Sequence, residues 1–336
     1  MSTGIKGQAV LFASPFKVEL TEVEIPPPRM GEVLIQTAYS CISPGTELRA
    51  LAGKQSGGEV FPFIPGYTAS GIVIASGENT RLKVGTRVFC KGTRRANLPL
   101  LWGGHVSHSI HPEMTVIPLP DEIDLVDASI LKLAGIAYHG LRHSQPLPHE
   151  RVAVVGLGPI GQLSIRLHHL TGAKVVGADL IESRVKLTRA AGISAVWEEN
   201  TQGIMAELRE VFSKGVDVIV DATADVEALP ILIELAHDIP WDNSLTPGAR
   251  YLIQGSYPGD FAISYQAAFM KELQFTLTRD EQRRDLETVL ELLTVGKLQV
   301  RDIITEIRSP DDAPRTYAEL VARSRDLMTV AFQWSA

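Results

Sequence analysis

Along the first 120 residues of this 336-residue chain the apolar positions come in short β-branched and aromatic runs. GQAVLF, KVELTEVEI, EVLIQTAYS, SGIVIAS and GTRVFCKG are separated by Gly, Pro and Ser punctuation such as PPPRMG and FPFIPG. Runs this close together, with no long helical period between them, predict an antiparallel sheet or partial barrel. From about residue 122 the period lengthens. DLVDASILKLAGIAYHGLRH carries apolar residues at helical spacing behind an Asp cap. Strand and helix then alternate: RVAVVG, a helix through GQLSIRLHHLTG, KVVGAD, a helix around SRVKLTRAAG, VDVIVDAT, a helix from about Val226 to Ala236, and RYLIQGS. That alternation around buried apolar strands is the signature of a parallel α/β sheet. The tail holds a helix (RRDLETVLELLTVGK), a short strand (DIITEIR), another helix (DAPRTYAELVARS) and a last strand (LMTVAFQW). No internal repeat or low-complexity segment interrupts this order.

Composition narrows the picture. Hydrophobic residues at 45% and charged residues at 21% describe a chain that buries a full core, which excludes disorder, collagen-like repeats and coiled coil. The length predicts roughly two domains. Lys+Arg of 32 against Asp+Glu of 39 leaves a formal charge of −7, so no global field holds the chain on nucleic acid or an anionic membrane. Cys41 and Cys90 are too few for a disulfide framework or a Cys-rich zinc module, and a reduced cytoplasm is the expected compartment. The opening MSTGIKGQAVLF has no apolar stretch ending at a cleavage site, and no run of 18 apolar residues occurs.

The strongest motif is Gly156-Leu157-Gly158-Pro159-Ile160-Gly161, which follows the apolar strand Val152–Val155 and opens an amphipathic helix. Gly156 allows the tight turn, Gly158 lets backbone approach a pyrophosphate, and Gly161 lets the helix sit against the sheet. The helix start then offers N–H groups and a positive dipole to phosphates. Asp179, 23 residues beyond Gly156 at the end of the next strand, would accept hydrogen bonds from the adenosine ribose and repel a 2′-phosphate, so NAD is expected in preference to NADP. Arg184, Ala222, Thr223 and Gly255 are further cofactor-binding candidates. The competing reading is a glycine turn in a non-binding α/β protein, with Asp179 a surface loop residue.

Nearly end to end, the chain resembles the medium-chain dehydrogenase/reductase superfamily, the zinc alcohol and polyol dehydrogenases and their zinc-free relatives. GEVLIQTAYSCISPGTEL is similar to the first catalytic loop, FPFIPGYTASGIV to the P-G-H-E segment, VGTRV to the G-D-R-V turn and LKLAGIAYHGL to the helix leading into the cofactor domain. FMKELQF, LLTVGKLQVRDIIT and DDAPRTYAEL are similar to the closing pattern. The resemblance implies an α/β protein with a GroES-like β-rich catalytic domain (1–122 and 271–336), a Rossmann doubly wound parallel-sheet domain (123–270), an active site in the cleft, and a homo-oligomer, dimer or tetramer.

The departures from that pattern carry chemistry. A catalytic zinc needs imidazole, thiolate or carboxylate ligands with one position left open. Here the first ligand position falls on Ser43 or Pro44, with Cys41 displaced by two or three residues; the next pair is Tyr67-Thr68, and the later acidic position is Lys132. No zinc and no other metal ligand set is expected. Hydride transfer to a carbonyl develops alkoxide charge. Lys132 is the candidate stand-in for the lost cation, its ammonium brought toward the working range by desolvation. Tyr67 is the candidate proton donor and Thr46 carries the relay hydroxyl, while Arg49 replaces a relay histidine. Each has a plainer reading: Lys132 snorkelling to solvent, Tyr67 packing, Thr46 capping a helix. Glu47 suits the helix dipole and needs no catalytic role. His139 is the histidine expected nearest the cleft, and the others are read as structural or exposed.

The expected function is an NAD(H)-dependent, zinc-independent oxidoreductase interconverting a small-molecule secondary alcohol and a ketone. The S-P-G-T-E loop resembles a zinc-free subgroup that includes bacteriochlorophyllide hydroxyethyl dehydrogenases, which implies a bulky substrate. The alternatives are a quinone or enone reductase, and a non-catalytic nucleotide-binding protein.

Overall fold

The computed structural model describes residues 4–55, 60–242, 246–257, 259–323 and 327–335. The alternating N-terminal runs become strands. β1 (Ile5–Ser14) and β2 (Lys17–Ile25) form an antiparallel hairpin. β3 (Glu32–Cys41) leads into α1 (Pro44–Leu51), and β4 (Ala69–Ser76), β5 (Arg87–Cys90), β6 (His108–Pro112) and β7 (Ile117–Pro118) follow. β3 is the spine, because both β4 and β6 pair with it antiparallel.

The helix expected over 124–143 divides into α2 (Leu125–Ala128) and α3 (Leu131–Ser144). The break falls at Ser129, whose hydroxyl turns back to the Val126 carbonyl and whose own carbonyl accepts the Thr68 hydroxyl at 2.6 Å. Asp124 occupies the cap position of α2 but makes no cap bond; its carboxylate accepts Arg301 Nη2 at 2.8 Å instead.

The middle of the chain alternates as its pattern requires. β8 (Arg151–Val155), α4 (Pro159–His169), β9 (Lys174–Asp179) and α5 (Glu182–Ala190) come first. β10 (Ser194–Trp197), α6 (Thr201–Val211), β11 (Val218–Asp221), α7 (Leu229–Leu232), β12 (Arg250–Ile253), α8 (Tyr265–Met270) and β13 (Gln274–Leu277) complete it. The six strands are all parallel, in the order β10-β9-β8-β11-β12-β13, the arrangement of a Rossmann sheet. α7 is shorter than the helix expected from Val226 to Ala236: Pro230 stands in its first turn, and a 3-10 turn at Ile233–Leu235 closes it.

The tail supplies α9 (Arg283–Thr294), β14 (Glu306–Arg308), α10 (Ala313–Val321) and β15 (Val330–Gln333). β15 returns to β3, so both chain ends build one sheet, in the order β14-β15-β3-β4-β5-β7 with β6 on β3.

The chain forms two compact units: Met1–Leu133 with Leu286–Ala336, and Ala134–Asp285. Both boundaries lie later than the expected 122/123 and 270/271. α2 packs on β3, β4 and β5 of the first unit, and β13 extends the parallel sheet of the second. The first unit packs Phe12 edge-on to Tyr317, ring centroids 5.0 Å apart, with Phe63 and Phe332 around them. In the second, apolar layers cover both sheet faces, Val154, Val220 and Leu252 on one and Ile219, Tyr251 and Ile253 on the other.

Arg151, opening β8, grips Asp217 ahead of β11 with Nε and Nη2 at 2.8 and 2.9 Å, and its backbone N–H adds a third bond. Burial raises the Asp217 carboxyl, but these bonds and the Arg151 charge outweigh it and hold the group below its usual range. The unfolded chain titrates at the ordinary value. The pair's contribution is therefore complete above that value and disappears as pH falls through the lower folded one. Asp217→Asn is expected to lower the melting temperature at pH 7 by about 2–4 °C. It should also flatten the acid limb of melting temperature against pH between about pH 4 and 2; an acid limb identical to wild type would dismiss the pair as a stabiliser.

Candidate functional site

In the second unit the glycine loop is built by close approach. Gly156 has φ +86°, and a Cβ there would lie 2.8 Å from the Ala222 carbonyl carbon and the Thr223 nitrogen. At Gly161 a Cβ would meet the Gly156 carbonyl oxygen at 1.7 Å. Gly158 differs: the nearest atom to its missing Cβ is Arg184 Nη1 at 3.9 Å, so this side of the turn is an open cradle. Gly158 caps α4, and Gln162 N–H makes a helical bond to its carbonyl at 2.8 Å. The earlier N–H groups of Ile160 and Gly161 lack an i−4 acceptor, leaving donors and positive dipole at the helix start.

Asp179 ends β9 with 6% exposure, so it is no surface loop residue. It accepts the Leu157 N–H at 2.6 Å and the Ile181 N–H at 2.8 Å, and Arg184 Nη1 lies 3.5 Å from the same carboxylate. Ala222 and Thr223 follow β11 directly. Gly255 follows β12, where a Cβ would lie 2.7 Å from Ala224 N. The structure thus gathers Gly156, Leu157, Gly158, Pro159, Ile160, Gly161, Asp179, Arg184, Ala222, Thr223 and Gly255 in one unit, at or just beyond the carboxyl ends of its strands, where open α/β sheets take their ligands. The open face at Gly158 and the carboxylate at Asp179 fit a dinucleotide.

Sequence reasoning missed Asp221. It ends β11 fully buried and accepts the Tyr251 hydroxyl at 2.8 Å, the Tyr257 hydroxyl, and both donors of Thr223. Burial, then the Asp221 charge, pushes both phenols well above their ordinary range. The signal was an acid terminating an apolar strand, VIVD. His139, expected nearest the cleft, lies in this unit with Nδ1 2.8 Å from Asp285.

In the first unit Ser43, not Thr46, occupies the cap position of α1, and its side chain makes no cap bond. Its oxygen accepts the Tyr67 phenol. Tyr67 is 8% exposed, its ring edge-on to Trp102 with centroids 5.2 Å apart. Lys132, in the first turn of α3, is 7% exposed rather than solvated, and its ammonium lies 5.1 Å from the Tyr67 ring centroid. Ser43, Tyr67 and Lys132 are therefore in mutual contact through Tyr67. Thr46 sits partly exposed in the first turn of α1. Arg49 Nε donates to Gln55 Oε1 at 2.7 Å. Glu47, read as suiting the helix dipole, is fully buried, as is His105, which binds it at 2.8 Å.

The donor set does not fit zinc. Two hydroxyls and an ammonium stand at the ligand positions, and Thr68 is committed to the Ser129 carbonyl. Burial pushes the Cys41 thiol up to about 12, and it lies 3.6 Å from Thr329 Oγ1 in the core. Among the described residues no three His, Cys, Asp or Glu side chains come together to hold an ion.

Two family models match the chain: "Alcohol dehydrogenase GroES-like domain" over residues 29–121 and "Zinc-binding dehydrogenase" over 159–295. The chain is 24% identical to the 2-desacetyl-2-hydroxyethyl bacteriochlorophyllide A dehydrogenase of Cereibacter sphaeroides, covering 98% of each. It is 24% identical to D-xylulose reductase A of Aspergillus oryzae, covering 78% of each. Its fold is similar to that of 2R,3R-butanediol dehydrogenase from Bacillus subtilis, with a TM-score of 0.82 at 20% identity over 97% of this chain and 99% of that one.

The two loop glycines should respond differently to a methyl group. Gly161→Ala, driven into a backbone oxygen, is expected to cost about 1–3 kcal/mol in thermal or urea unfolding. Gly158→Ala should leave stability within about 0.5 kcal/mol, since its Cβ enters open space. Equal losses at the two positions would show that the Gly158 face is packed.

Proposed function

The chain belongs to the medium-chain dehydrogenase/reductase superfamily, and from that premise we propose that it is an NAD(H)-dependent, zinc-independent oxidoreductase interconverting a secondary alcohol and a ketone. The observation that carries the reading is the Lys132–Tyr67–Ser43 contact, a buried cation and a phenol at positions where the resemblance places metal ligands. The glycine loop and the α4 start would hold the cofactor's pyrophosphate, and Asp179 would accept the ribose hydroxyls with the lone pairs that Leu157, Ile181 and Arg184 leave over. When bound, the nicotinamide supplies or accepts the hydride. In the reducing direction Tyr67 Oη turns the proton that it donates to Ser43 in the resting site to the carbonyl oxygen. The Lys132 ammonium then stabilises both the new alkoxide charge and the phenolate, which solvent reprotonates; oxidation reverses these transfers. The 24% relative that acts on a bacteriochlorophyllide supports a bulky substrate. Buried free thiols at Cys41 and Cys90 support a reducing compartment.

The test is NAD⁺ reduction by chelator-treated protein across secondary alcohols, polyols and cyclitols. Turnover is expected to persist. Lys132→Ala should lower kcat about 10²-fold while NADH affinity stays within about twofold. Asp179→Ser should erode the preference for NAD over NADP. Silence across the panel with NADH binding intact would replace this reading by an enone reductase or a non-catalytic nucleotide binder. Loss of turnover on chelation, restored by Zn²⁺, would overturn zinc independence.

A homo-oligomer is part of the same proposal. β13 is an edge strand of its sheet, and α8 before it exposes Tyr265 at 76% and Phe269 at 49%, with Trp241, 81% exposed, against Phe269 at 6.2 Å between ring centroids. Sedimentation should give at least twice the chain mass and fall to the monomer for Trp241→Glu with Phe269→Glu; a monomeric wild type would end the proposal.

A further inference from the structure

Glu47 stands in the first turn of α1, where a carboxylate ordinarily faces water, yet its side chain has no exposure at all. Donors converge on it from three segments of the chain. The Ser43 backbone N–H reaches Oε1 at 2.7 Å; His105 Nε2 and the Tyr317 phenol of α10 reach Oε2 at 2.8 and 2.5 Å. The far nitrogen of His105 is fixed as well. Nδ1 lies 2.7 Å from Ser40 Oγ, which accepts the Trp334 indole N–H at 2.8 Å and so has its own proton left for the imidazole. A proton on Nε2 therefore faces the carboxylate.

The imidazole is wedged under the turn that carries Tyr67. Gly66 has φ +81°, and a Cβ on it would fall 2.6 Å from His105 Cδ2 and 2.7 Å from Cγ, so only a hydrogen fits between ring and backbone. One carboxylate thus fixes both ends of the Tyr67–Ser43 hydrogen bond, Ser43 through its backbone and Tyr67 through the imidazole beneath Gly66. We propose that Glu47 is a positioning residue of the reaction centre, acting through His105 to hold the Ser43 and Tyr67 hydroxyls in register beside Lys132. This rests on reading Tyr67 and Lys132 as the proton-handling groups. Packing alone gives no reason for the arrangement: Phe12, Ile42 and Phe332 line the same core, and an apolar side chain would fill the space without the desolvation penalty of a carboxylate. What the polar hub adds is a fixed geometry.

The test uses the full chain with a 3-fluorotyrosine label at position 67, with Glu47→Ala, Glu47→Gln and Tyr317→Phe as variants. The readouts are the ¹⁹F resonance, kcat and KM for the alcohol, NADH affinity and the solvent isotope effect on kcat. Glu47→Ala is expected to move the resonance, lower kcat about 10²-fold, raise the isotope effect and leave NADH affinity within about twofold. Glu47→Gln should recover kcat to within about tenfold of wild type, because His105 can move its proton to Nδ1 and accept from the amide. Should Glu47→Ala fail to fold, Tyr317→Phe removes one donor while keeping the ring, and a smaller shift of the same resonance is expected. An unmoved resonance in the folded variants overturns the proposal. So does a kcat that falls only with the folded fraction at an unchanged isotope effect. If wild type turns over no alcohol or ketone, the proposed function fails by itself, and the ¹⁹F resonance alone decides the role of Glu47.

Discussion

A carboxylate removed from water must collect its hydrogen bonds from the protein or remain at a penalty of several kcal/mol, and that constraint shapes both units of this chain. Glu47, Asp179, Asp221 and Asp285 are buried, and each sits at or next to the end of a helix or strand. At such ends the backbone runs out of ladder partners and has N–H groups to offer. Glu47 draws Ser43 N–H, Asp179 draws Leu157 and Ile181 N–H, Asp221 draws Thr223 N–H, and Asp285 draws Gln282 N–H. Each acid then adds a side chain from elsewhere: His105, Arg184, Tyr251 and Arg142. The loops bearing the candidate chemistry are held by these charge-assisted bonds.

The same constraint explains what could be read in advance. The alternation in KVELTEVEI and the run RVAVV are local, and each became the expected strand. The glycine loop was legible because its demands are steric and confined to a few residues: a left-handed turn at Gly156 and a helix seated on it at Gly161. Absent from the pattern reading were β10 and β13, four residues each, and the helices α6 and α8 that precede β11 and β13. Strands that short carry too few alternations to register. α6 shows its face only through Ile204, Met205 and Leu208, with Asn200 capping it by accepting Gly203 N–H. Without β13 the sheet ended a strand early, and the domain boundary moved with it.

Glu47 was illegible for a different reason. In any local window it is an acid in the first turn of a helix, a position that the dipole explains without any further partner. Its partners lie 58 and 270 residues away in sequence, and neither is marked by a motif. Lys132 and Tyr67 were found only because a resemblance singled out their positions. Nothing in the helical period of LKLAGIAYHGL distinguishes a lysine that reaches water from one that turns onto a buried ring.

That pairing bears on how an alcohol can be oxidised here. A metal ion bonds the substrate oxygen directly and makes the hydroxyl acidic by itself. An ammonium carries a single charge and only donates hydrogen bonds, so it stabilises an alkoxide less and leaves the proton without an acceptor. A centre that exchanges one for the other therefore needs a second group to take the proton, held close enough for the cation to stabilise both charged forms. Tyr67 meets that requirement: its hydroxyl engages Ser43, its ring faces the Lys132 ammonium, and both side chains are more than nine-tenths buried, where water screens the interaction least. A lysine without the phenol, or a phenol exposed to solvent, would not provide that coupling. Under the proposed zinc-independent reading, the residues at the positions that the resemblance gives to metal ligands therefore act as one coupled set rather than as separate substitutions.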